Sequence, residues 1–138
     1  MKEERAFPCR RESVSGARRF VRETLVDEPA ETLEAVELMV SELATNCVQH
    51  AESDFEITIE RSAETIRIEA SDDGSGGHPT RRSPSPREPT GRGLLVVEAL
   101  SDEWGVDTQP DGKTVWFSLG AEGRRAGGGD RRLGRNAA

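Results

Sequence analysis

The chain has 138 residues and a mass of 15.1 kDa, which makes one domain the expectation. Apolar residues are 33% and 14 glycines bring the total to about 43%, just under the ~45–50% of soluble globular chains, so wholesale disorder is excluded. A net charge of −7, from 19 basic and 26 acidic residues, repels a phosphate backbone and argues against general nucleic-acid binding. No run approaches the ~20 apolar residues of a membrane span, and the chain does not start as a secretory signal does. Two cysteines, Cys9 and Cys47, cannot build a disulfide framework, so a small acidic cytoplasmic domain is expected.

Residues 5–9 form a short, weak edge strand that Pro8 ends. Ser13 or Ser15 offers an N-cap to a first helix carrying Val14, Ala17, Phe20, Val21 and Leu25 at helical spacing. Asp27-Glu28-Pro29 breaks it. A second helix runs over residues 29–50, with Pro29 in its first turn. Leu33, Val36, Met39, Val40, Leu43, Cys47 and Val48 make its apolar stripe. The period then drops to two. Phe55, Ile57 and Ile59 alternate with polar residues, as do Ile66, Ile68 and Ala70, and the link between them has hairpin length.

Asp72-Asp73-Gly74-Ser75-Gly76-Gly77 follows, then a loop rich in Pro, Arg and Ser up to Thr90. A loop that long inside a compact domain is usually functional. Gly91-Arg92-Gly93 opens a third helix with Leu94, Leu95, Val96, Val97 and Leu100. Trp104 and Val106 mark a strand, Asp111-Gly112 a hairpin turn, and Val115, Phe117 and Leu119 the last strand. The order β-α-α-β-β-loop-α-β-β predicts an α+β domain. It is a two-layer α/β sandwich with helices on one face of a mixed, mostly antiparallel sheet. Residues 121–138 hold five Gly, five Arg and one large apolar residue, with a charge of +3 against −10 for the rest. Such a tail is expected to be disordered. It is either a solvated end or a docking arm for an acidic partner.

Several segments bear chemistry. Glu42 and Asn46 are four apart and share one helix face. A carboxylate and an amide so placed can hold a hard cation, and the carboxylate can take a proton from a hydroxyl. They also suit an ordinary polar helix edge. Asp72-x-Gly74-x-Gly76 lets a ligand approach the backbone beside an acceptor for an exocyclic amine, and it equally suits a Gly-rich turn. Gly91-Arg92-Gly93 puts free amides at a helix start, an anion site. A dinucleotide fingerprint is rejected, because Val96 stands where its third glycine would be and a loop precedes it. A phosphate-binding loop ending at Gly112-Lys113-Thr114 is rejected, because Asp107 stands where its first glycine would be and a strand follows. His50, His78, Cys9 and Cys47 have no metal-ligand spacing. Cys47 reads as core packing, with no basic partner evident, and His50 as a helix end.

Taken in order, these segments resemble the ATP-binding domain shared by gyrase, heat-shock chaperones, histidine kinases and mismatch-repair ATPases, the GHKL or Bergerat fold. Over residues 5–120 the chain is most similar to the anti-sigma-factor serine/threonine kinases. Glu42-Leu43-Ala44-Thr45-Asn46 looks like the N box, Asp72 to Gly76 the first glycine box, and Gly91-Arg92-Gly93-Leu94 the second. Trp104-Gly105-Val106 and Gly112-Lys113-Thr114-Val115-Trp116-Phe117 resemble the end of that domain.

The resemblance implies ATP and Mg²⁺ as cofactors. Asn46 would ligate Mg²⁺, and Glu42 would be the general base or orient the attacking group. Asp72 would bond the adenine amine with Thr114 nearby, and Gly74 and Gly76 would let the nucleotide close in. Gly91, Arg92, Gly93 and Leu94 would serve the phosphates, and residues 77–90 would be the ATP lid. It also implies a homodimer, and an anti-sigma-factor antagonist and a sigma factor as partners. A non-catalytic nucleotide-binding module is the alternative on the same fold. Phosphoryl transfer needs positioning and charge neutralisation more than covalent chemistry, which suits these residue types.

Overall fold

A computed structural model describes residues 1–51, 53–72 and 92–120. Its elements are β1 (Lys2–Phe7), α1 (Glu12–Thr24), α2 (Ala30–Asn46), a π-helical turn (Cys47–Ala51), β2 (Phe55–Arg61), β3 (Thr65–Asp72), α3 (Arg92–Leu100), β4 (Glu103–Gln109) and β5 (Gly112–Gly120). The five strands form one sheet in the order β1-β2-β3-β5-β4. Every described pairing is antiparallel, where a mixed sheet was expected. Tight links return the chain beside itself at β2–β3 and β4–β5. The α1–α2 pair carries β1 round to an antiparallel β2.

Alternation along the strands divides the sheet into two faces. Ile57, Ile59, Ile66, Ile68, Ala70, Val115, Phe117 and Leu119 point to the helices and are buried. They share one core with Ala17, Phe20 and Val21 of α1, Val36, Met39, Val40 and Leu43 of α2, and Val97 of α3. The expected two-layer α+β architecture is therefore present. Burying a large apolar side chain contributes roughly 1.5–3 kcal/mol, so this single face supplies most of the drive to fold.

On the opposite face Trp116 lies half-buried, with the Arg67 guanidinium 4.1 Å from its ring centre. Gly105, its cross-strand neighbour, makes room for it: a Cβ there would sit 2.8 Å from the indole.

Local details depart from expectation. Ser13 does not cap α1. It lies inside the first turn, and its hydroxyl donates to the Pro8 carbonyl at 2.7 Å, fastening the β1–α1 link. Pro29 is the N-cap of α2 rather than its first helical residue. Regular α2 ends at Asn46 instead of residue 50, and the wider π turn continues it. The last hairpin turns on Pro110-Asp111, one residue earlier than expected. Arg22 holds Glu37 at 2.8 Å and so joins α1 to α2. Arg61 at the end of β2 reaches Asp27 and Glu28, both at 2.9 Å, and its hydrogen bond keeps the Asp27 carboxyl below its usual range. Among the described residues no helix is long and apolar enough to cross a membrane. The expected lid at 77–90 and tail at 121–138 lie outside the described residues.

Candidate functional site

The site begins at the end of α2. Glu42 and Asn46 stand one turn apart there, both half-buried, flanked by the buried Leu43 and Ala44. The helix changes character directly after Asn46. The Cys47 amide is shared between the Leu43 and Ala44 carbonyls, and the π turn starts. Such turns recur at functional sites because they re-aim neighbouring side chains. The Asn46 amide nitrogen Nδ2 is buried with no hydrogen-bond partner. An orphaned buried donor costs about 1–3 kcal/mol, so this position is maintained against stability. Trp104 Nε1, on β4, is the other such atom among the described residues. None of the described ion pairs engages Glu42.

Asp72 closes β3 on the helix-facing side, continuing the row of Ile66, Ile68 and Ala70. Its cross-strand neighbours are Phe55 on β2 and Lys113 on β5. Neighbours directly opposite in an antiparallel pair share a face, so Asp72 and Lys113 project together toward the helices. Thr114, expected beside Asp72, projects the other way. Its hydroxyl lies 2.9 Å from that of Ser71 on the far side of the sheet.

Cys47 ties the two parts together. Burial pushes its thiol up to about 12; the Asp72 carboxylate adds to the rise and the Lys113 ammonium opposes it. Both charges therefore lie within electrostatic reach of the residue that follows Asn46. At that value the thiol stays protonated at neutral pH, which fits a packing role and not a nucleophile. Asp72 and Lys113 thus share one end of the sheet, and the π turn that follows Asn46 packs against β3.

Arg92 and Gly93 open α3, which packs against α2, and Leu94 is half-buried against the core. α3 therefore begins within the segment read as the second glycine box. Gly74, Gly76 and Gly91 lie outside the described residues.

The donor set suits a nucleotide better than a metal held by protein alone. Among the described residues no group of three or more His, Cys, Asp or Glu side chains could hold an ion, and His50 joins no such group. Mg²⁺ needs few protein ligands when phosphates supply the rest. The Asn46 amide would offer Oδ1 to such an ion.

The sequence motifs pointed past Lys113. A signal for it existed: the buried alternation Leu119, Phe117, Val115 extends back to position 113, not to 114.

A model of the histidine kinase-like ATPase domain matches residues 7–119, from the end of β1 to the end of β5. No curated protein gave a match. With most of its length matched, including every described element that builds the site, the chain belongs to the histidine kinase-like ATPase domain family.

Proposed function

We propose that the protein binds ATP with Mg²⁺ as a regulatory kinase. It transfers the γ-phosphate to a serine or threonine of an anti-sigma-factor antagonist, sequesters a sigma factor, or does both. Family membership supports the ATP-binding part. The observation that carries the reading is the orphaned Asn46 amide, held one turn from Glu42 on the helix whose π-helical continuation packs against β3, the strand that ends in Asp72. Mg²⁺ supplies charge neutralisation on the phosphates when bound. Asn46 binds and orients there. Asp72 accepts from the exocyclic amine of adenine. The first amides of α3 and the cation of Arg92 would serve the phosphates. Glu42 takes the proton of the attacking hydroxyl, and no described ion pair competes for its carboxylate. The protein acts as a homodimer in the cytoplasm on this reading.

The test incubates the protein with γ-labelled ATP and candidate antagonist proteins. Transfer of label to a serine or threonine is expected. Glu42→Ala should keep nucleotide binding and lose transfer by about 10²–10⁴-fold, the usual contribution of a general base. Equal labelling by both proteins would remove the role of Glu42. Nucleotide binding with no transfer to any acceptor would leave the non-catalytic module.

A further inference from the structure

The strand register sets an unexpected pair of charges where the nucleobase would lie. Asp72 and Lys113 are direct cross-strand neighbours, both half-buried, on the helix-facing side of the sheet. Side chains in that relation start about 4.5–5.5 Å apart at Cβ. On its other side Lys113 neighbours Thr108, which is neutral. None of the described ion pairs includes Lys113, although a carboxylate stands on the next strand. Its ammonium is therefore left as a donor at the sheet end. The Thr114 hydroxyl does not supply one, because it is turned to the opposite face beside Ser71.

We propose that Lys113 reads the purine edge together with Asp72, so that the site accepts 6-oxopurine as well as 6-aminopurine nucleoside triphosphates. The proposal rests on the nucleotide reading above. An ionised carboxylate only accepts hydrogen bonds and an ammonium only donates them. Adenine presents a donor at its 6-amine and an acceptor at N1. Hypoxanthine presents the reverse, an acceptor at O6 and a donor at N1–H. A lone Asp72 complements only one edge group of either base, the adenine amine or the hypoxanthine N1–H. With Lys113 beside it, each base finds both complements. Asp72 takes the adenine amine and Lys113 its N1. With hypoxanthine, Lys113 takes O6 and Asp72 the N1–H.

ATP and inosine triphosphate differ only at this edge, so they are the probes. Calorimetric titration of the full chain with each, in Mg²⁺, is expected to give dissociation constants within about tenfold of each other. Lys113→Met keeps the length and apolar stem and removes the charge. It should weaken both triphosphates by about tenfold or more, the usual worth of a hydrogen bond to a charged group. Lys113→Arg should hold both affinities near wild type. ATP binding with inosine triphosphate rejected by more than about a hundredfold, a gap far beyond one such bond, would overturn the proposal and leave the nucleotide reading intact. Undiminished binding of both triphosphates by Lys113→Met would do the same. Binding of neither triphosphate by the wild type would overturn both.

Discussion

One row of the sheet ends in two contrasting ways. Across its helix-facing side run Phe7, Phe55, Asp72, Lys113 and Thr108, one residue from each strand. On β1 and β2 the row is aromatic. Phe7 stacks on Phe55 with ring centres 5.6 Å apart and meets Phe20 of α1 at 6.2 Å. Arg5, one step along β1, covers Phe20 from 4.5 Å. On β3, β5 and β4 the same row is polar, and the α2 end above it carries an orphaned amide and a buried thiol. The aromatic half satisfies itself. Above the polar half, the Asn46 amide nitrogen is buried with no hydrogen-bond partner. A buried donor without a partner costs stability, so the two ends of the row contribute to folding with opposite sign.

Perturbing each half should break this contrast in a different way. The largest effect is expected in the apolar layer. Phe117→Ala empties a fully buried position at the centre of the sheet and should cost about 3–5 kcal/mol in denaturant titration. A smaller loss is expected on the opposite face. Gly105→Ala drives a Cβ to within 2.8 Å of the Trp116 indole and should cost about 1–3 kcal/mol, with a shift in tryptophan emission as the ring leaves Arg67. In the polar half the sign should reverse. Asn46→Leu removes the orphaned donor while filling similar volume. It should leave stability unchanged or raise it by about 1 kcal/mol, while nucleotide titration loses its signal. A clear loss of stability in that variant would mean that Asn46 belongs to the scaffold.

The smallest effect near neutral pH concerns Cys47. Its folded thiol is raised from 9.0 to about 12, so the folded state keeps a proton that the unfolded chain releases. The stability this contributes is fully present below pH 9 and is lost as pH rises toward about 12. Denaturant midpoints of wild type should fall more steeply over that window than those of Cys47→Ala. A thiol reagent at neutral pH should modify Cys47 only after unfolding.

Much of the site was legible because its parts are local. Glu42 and Asn46 needed only helical spacing, and Asp72 only its place at the end of an alternating strand. Lys113 was hidden by a competing signal, since the Gly-x-Thr pattern drew attention to Thr114 while the strand period favoured its neighbour. The end of α2 was hidden for another reason. Cys47 and Val48 continue the apolar stripe, so nothing local marks a change at Asn46, and the π turn arises where the chain packs against β3. Ser13 was misjudged because cap chemistry is common to many serines, and only the fold brings the Pro8 carbonyl within 2.7 Å of its hydroxyl.

By itself the sequence determined the elements, their two periods, the α+β class and the candidate carboxylates and amide. These follow from patterns that each segment carries alone. The tertiary structure decided the antiparallel register, the facing of Lys113 with Asp72, and the isolation of the Asn46 amide. Those depend on which strands become neighbours and on what is excluded from the space between them, and no single segment holds that information.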